Sequence, residues 1–218
     1  MKFLTQIFSV FFIVTLTACA NQTPEPSPMN AQGLTTFQHS AFDKLEINRS
    51  IDFSQYKKIK FDPATVAYNG THRRDLLNRG EEAFQFDERE LEIFNRQLVK
   101  GFSSAWAQQF GWEVTEETGS DVILVRAAIV DMYLYASIKN DEILPHSSIT
   151  DESSKMTIKL SLLDSQSEQL LLTAQGKKTT GWRGQLTRTS SVSYWNDAYR
   201  AFLQWASLVG NQITNEQP

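Results

Sequence analysis

One thiol, three imidazoles and scattered serines and carboxylates are the groups in this 218-residue chain that could do chemistry. Cys19 is the only cysteine, so no disulfide can form within the chain. His39, His72 and His146 stand far apart in polar segments. They form no HExxH and no other pair with metal-ligand spacing, so zinc would require a site assembled from distant loops. No G-x-S-x-G elbow and no S-x-x-K motif is present; Ser147-Ser148 and Ser190-Ser191 read as loop residues. Gly181-Trp182-Arg183-Gly184 is not a phosphate cradle. Glu81-Glu82, Glu116-Glu117, Asp141-Glu142 and Asp151-Glu152 fall in polar segments and read as solvated surface charge. General acid-base work would need a cleft around them. No metal and no cofactor is expected.

Two polar features are more informative. Arg126 and Asp131 interrupt an apolar run. Five residues apart, they face opposite sides of a regular strand, and each reads as sitting at a sheet edge or pairing with a neighbouring strand rather than with the other. Lys177, Lys178, Arg183 and Arg188 surround Trp182 without an intervening acid. That segment is a candidate partner surface for lipid headgroups, a glycan or a protein; a solvated basic loop is the alternative. The net charge of −4, from 21 basic and 25 acidic residues, argues against a nucleic-acid partner.

The N-terminal residues say where the protein goes. Met1-Lys2 is a charged start. The stretch from Phe3 to Leu16 is mostly apolar and is followed by small residues, the pattern of a secretory signal peptide. It falls short of the roughly 20 residues that cross a bilayer. Leu16-Thr17-Ala18-Cys19 resembles the lipobox of bacterial lipoproteins. The resemblance implies that the Cys19 thiol becomes a thioether to diacylglycerol, that cleavage follows Ala18, and that the new amine is acylated. Several acyl chains hold more firmly than one, at about 0.8 kcal/mol per buried CH₂. Ala20, where an Asp would favour the inner membrane, implies outer-membrane sorting with the domain facing the periplasm; surface exposure is the alternative. A plain signal peptide with a coincidental cysteine also stays open.

The elements divide the chain accordingly. Residues 1–18 are the signal peptide. Residues 19–45 are the lipidated cysteine and a tether rich in Pro24, Pro26, Pro28 and polar residues; Phe37, Phe42 and Leu45 would let its second half dock. Residues 46–218 form a single periplasmic domain. Tyr56 to Phe61 alternates with strand period and stops at Asp62-Pro63. Asp87-x-x-Glu90 opens a helix with a stripe of Leu91, Phe94, Leu98, Phe102, Trp106 and Phe110, closed by Gly111. Trp112 to Thr115 suits a short strand and Val122 to Tyr135 a long central one. Lys155–Leu163 and Glu168–Gly176 read as a hairpin around Asp164-Ser-Gln-Ser167. Lys177–Ser191 reads as a loop, and Ser193–Ile213 as a second helix whose stripe includes Trp195, Phe202, Trp205 and Val209. The expected fold is α+β: a mainly antiparallel sheet of about four to five strands with two long amphipathic helices on one face.

Three stretches in this order resemble the DUF3313 family of bacterial lipoproteins. They are Tyr56-Lys57-Lys58-Ile59-Lys60-Phe61-Asp62-Pro63, the helix followed by Gly119-Ser120-Asp121-Val122-Ile123-Leu124-Val125-Arg126-Ala127, and the Trp-rich last helix. The match runs from about Ile51 to Ile213, with Ala64 where Val is common. The resemblance implies an envelope lipoprotein and transfers no catalytic residue. The expected function is a non-catalytic binding or assembly module, held at the outer membrane by its lipid and meeting an envelope protein or glycan. The alternative is an envelope hydrolase whose site joins Glu or Asp with His72 or His146.

Overall fold

Two helices follow directly from their local sequences. The computed structural model describes residues 29–70, 85–135, 148–181 and 184–215. Helix α1 spans Glu88–Phe110. Asp87 accepts a hydrogen bond from the Glu90 amide at 2.8 Å, and Glu90 accepts one from the Asp87 amide at 2.9 Å. This reciprocal pair satisfies two donors that the first turn leaves open. Gly111 ends the helix at φ 71°, a left-handed conformation that glycine adopts without strain. Helix α2 spans Ser191–Asn215. It starts earlier than its apolar stripe suggested, because Ser190 forms the start: the Ser193 amide donates to Ser190 Oγ at 3.2 Å and the Ser190 amide to Ser193 Oγ at 2.8 Å. The stripes face each other through Phe94, Phe102, Trp106, Phe202 and Trp205, all buried. Trp106 Nε1 donates to the Ala206 carbonyl at 3.0 Å across the helix pair.

The sheet corrects the expected architecture. Eight strands, not four or five, form one mixed sheet in the order β1-β2-β9-β8-β6-β3-β5, with β4 also paired to β6. They are β1 (Thr35–Phe37), β2 (Lys44–Ile47), β3 (Lys58–Phe61), β4 (Thr65–Tyr68), β5 (Glu113–Val114), β6 (Val122–Leu134), β8 (Ser154–Asp164) and β9 (Leu170–Thr180). A separate ribbon pairs β7 (Ser148–Thr150) with β10 (Thr187–Thr189). The five-strand part from β1 to β6 is antiparallel, whereas β3 and β4 run parallel to β6, and β5 parallel to β3. The class is still α+β. The physical reason for the parallel part is α1 itself. A chain that leaves β4 and travels the length of a helix returns in the same direction, as a crossover connection must.

The strands that periodicity missed are short or lie at the margin. β1 and β2 contribute only three and four residues, too few for an alternation to register. They place part of the 19–45 span in the sheet, with Leu34, Phe42 and Leu45 buried. β9 continues to Thr180, so Lys177 and Lys178 belong to a strand and not to a loop.

The helices cover one face of this sheet. Ile59, Ile123, Val125, Ile158, Leu160 and Leu172 join α1 and α2 in one core. Asp131 breaks the regular alternation of β6. Val130 opposes Thr157 and Tyr133 opposes Lys155, so β6 uses one residue more than β8 over that interval. Asp131 takes φ 53° at this bulge, where Asp is among the tolerated non-glycine residues. The inward set therefore passes from Ile129 to Met132, and Asp131 stays exposed.

Candidate functional site

Among the described residues, the face of the sheet turned away from the helices is polar and bears several lysines. In β3 and β6, Lys60 stands opposite Leu124 and Lys58 opposite Val122, while Ile59 and Phe61 point to the core. In β8, Lys155 and Lys159 are exposed while Met156, Ile158 and Leu160 are buried. Lys177 of β9 opposes Thr157 on the same face, and Lys44 of β2 opposes Gln175. The period-2 geometry of strands delivers this split from sequence, and the strand order brings the lysines together.

Several of these cations are held in pairs. Arg126 Nε lies 2.7 Å from Asp62 Oδ2, and its Nη2 lies 3.4 Å from Glu168 Oε1. Arg126 thus bridges the end of β3 to the β8–β9 turn, the neighbouring-strand role expected of it. Lys58 approaches Asp121 at 3.6 Å, Lys44 meets Glu46 at 2.9 Å and Lys155 meets Glu152 at 3.0 Å. Lys155 Nζ also lies 5.3 Å from the centre of the Tyr135 ring.

Four buried or hydrogen-bonded groups are shifted away from neutrality. Burial pushes the Tyr68 phenol up to about 12, and its oxygen accepts from the Phe86 amide at 2.7 Å. Burial and a 3.1 Å hydrogen bond to Asp164 raise Tyr56 further. Burial alone would raise Glu46, but hydrogen bonds from Lys44, Thr173 and Asn30 outweigh it and hold the carboxyl low. Asp164 is likewise lowered against its burial by bonds from Ser167, Tyr56 and Gln166. Each of these groups keeps its ordinary charge state at pH 7 and serves as a structural tie.

The residues singled out in the sequence are only partly described. Leu16, Thr17, Ala18, Cys19 and Ala20 lie outside the described residues, as do Trp182, Arg183, His72 and His146. Lys177 and Lys178 are consecutive in β9 and so face opposite sides of the sheet; the structure does not bring them together. Lys178 is half-buried on the helix side, where Nζ donates to Gln204 Oε1 at 3.0 Å and burial lowers its pKa. It borders a cleft of about 310 Å³ with Gly181, Asp197 and Arg200. Arg188 lies in β10, opposite Ile149 of β7. His39 accepts from the Ala41 amide at 3.1 Å and packs on Phe42, a turn-stabilising role. Among the described residues, no group of three or more His, Cys, Asp or Glu is placed to hold a metal, and no helix is long and apolar enough to cross a membrane. The lysine-bearing face was not singled out as a site. Its signal was present as Lys at alternate positions of Tyr56–Phe61 and Lys155–Leu163, without the strand order that joins them.

The fold and this surface define an α+β domain with helices on one side and a sheet face bearing lysines, carboxylates and hydroxyls on the other. The chain belongs to the DUF3313 family of proteins of unknown function, whose model matches residues 27–209. Among curated proteins, no sequence matches. Among solved structures, the PelC dodecamer from Paraburkholderia phytofirmans is 8% identical, with 70% of this chain and 86% of that chain covered and a TM-score of 0.38. A candidate lipoprotein from Caulobacter crescentus CB15 is 11% identical, with coverages of 76% and 95% and a TM-score of 0.35. A DUF330-family protein from Xanthomonas campestris is 11% identical, with coverages of 73% and 85% and a TM-score of 0.34. Likeness at this level carries no assignment of function.

Proposed function

We propose that this protein is a non-catalytic binding module of the bacterial envelope, anchored to the outer membrane by lipid on Cys19 and facing the periplasm. The observation that carries the reading is Leu16-Thr17-Ala18-Cys19 directly after an apolar stretch too short to span a bilayer. Ala20 in the sorting position supports the outer membrane as its destination. Cys19→Ala removes the only thiol that diacylglycerol could modify. The expected outcome is loss of the mature protein from the membrane fraction, with residues 1–18 retained on the precursor. A mature Cys19→Ala protein that still fractionates with membranes at the wild-type level overturns the anchor.

The partner is an envelope protein or glycan. Crosslinking in intact envelopes followed by pull-down identifies it. If Trp182→Ala with Arg183→Gln abolishes the crosslink, the stretch around Trp182 and Arg183 carries the contact. An unchanged crosslink removes that segment from the binding surface.

A further inference from the structure

The open sheet face carries a cluster of lysines on β8, β9 and β2. Lys159 stands opposite Gln175, and Gln175 opposite Lys44, in one row across β8, β9 and β2. Lys177 stands opposite Thr157, two positions from both Lys155 and Lys159 along β8. Such diagonal neighbours sit roughly 7–8 Å apart. Lys159 and Lys177 are exposed, and neither forms an ion pair among the described residues. Short polar side chains separate the lysines, including the buried Thr157 and the half-buried Gln175 and Thr173. Glu46 pairs with Lys44 and Glu152 with Lys155, so the excess positive charge of this cluster is carried by Lys159 and Lys177, on a chain whose net charge is −4.

The start of the described chain lies at the margin of this same face. Asn30 Nδ2 donates to Glu46 Oε1 at 3.4 Å, and Glu46 also pairs with Lys44 and accepts from Thr173 on the open side. Eleven Cα steps separate Asn30 from Cys19, about 40 Å at full extension. A chain anchored at Cys19 is therefore leashed from the edge of its basic face.

From these two observations we infer that the open sheet face rests on an anionic phospholipid surface, the leaflet that holds the anchor. The inference rests on the lipid-anchor reading of Cys19. Anionic headgroups attract cations that come within a Debye length, about 8–10 Å, and a leash of about 40 Å brings the face into that range repeatedly. The acyl chains on Cys19 supply the attachment, and the lysines give the attached domain an orientation. The helices and the cleft beside Lys178 then point away from the membrane.

The test uses the full lipidated protein in two sets of nanodiscs. One set is phosphatidylcholine alone; in the other, phosphatidylglycerol makes up about a third of the lipid. Brief amine acetylation is read site by site by mass spectrometry. Lys159 and Lys177 are expected to react about fivefold or more slowly on the phosphatidylglycerol discs. Lys100, exposed on α1, is expected to react alike on both. Sodium chloride at about 0.5 M is expected to erase the difference by screening. In the double variant Lys159→Gln, Lys177→Gln, protection of Lys60 on the same face is expected to fall. Equal reaction of Lys159 and Lys177 on both discs, by protein shown to be acylated and disc-bound, overturns the docking while leaving the anchor intact. Protection that appears only when an acidic glycan or an envelope protein is added overturns it as well. An unacylated protein that does not stay with either disc overturns the anchor itself, a result visible in the intact mass.

Discussion

Glu46 joins three parts of the molecule through one carboxylate. It is 7% exposed, yet it bonds Lys44 beside it in β2, Thr173 on β9 and Asn30 before β1. Those bonds hold its folded pKa below the ordinary 4.5. A depressed carboxyl contributes stability in full above its unfolded pKa and loses it as pH falls through the folded value. Asp164, lowered from 3.8 by its turn and by Tyr56, acts in the same direction. The thermal midpoint is therefore expected to drop as the solution is acidified below about pH 4.5. In Glu46→Gln the midpoint is expected to be lower at pH 7, and the acid drop shallower. Thermal unfolding of the two proteins across that range checks both. An acid drop of equal depth in the variant would show that Glu46 does not contribute.

The element scale is governed by the helix pair. Gly101 lies where α1 crosses α2. A Cβ placed there would sit 2.8 Å from Phe202 Cβ and 2.9 Å from the Leu203 amide nitrogen. Backbone cannot rotate aside as a flexible side chain can, so the helices would have to separate. Gly101→Ala is expected to destabilise by about 1–3 kcal/mol despite alanine's better helix propensity. Asp87→Ala removes only the start of α1 and is expected to cost about 1 kcal/mol. Chemical denaturation measures both, and a Gly101→Ala protein as stable as wild type would refute the close crossing. The difference in legibility is physical. Asp87, Glu90 and Gly111 act within a turn or two of their own helix, and their roles can be read locally. Gly101 looks like an ordinary helix-weakening glycine until Phe202 is placed against it.

On the scale of the whole molecule, the domain's N-terminal limit decides stability. β2 covers the edge of β9, and Leu34, Phe42 and Leu45 enter the interior. A mature chain shortened to begin at Glu46 loses all three, each worth about 1.5–3 kcal/mol when fully buried. It also leaves β9 with an unpaired edge. Such a chain is expected to melt well below one that begins at Met29 and to aggregate on heating. Calorimetry with light scattering distinguishes the outcomes. Equal melting would show that the residues before 46 add no stability.

What the sequence determines by itself is local or covalent. A charged, apolar and small-residue order ends on the only cysteine, and chemistry at that residue needs no fold. Helix stripes, their caps and the alternation in β3, β6 and β8 also follow from spacing, because 3.6 and 2.0 residues per repeat are properties of the backbone. Strand order, the parallel pairing across α1 and the recruitment of β1 and β2 depend on contacts between residues far apart in the chain. No periodicity encodes them. The same is true of the basic face. Lysines 44, 155, 159 and 177 are unremarkable surface residues in the chain, and only the sheet's register gathers them on neighbouring strands of one face.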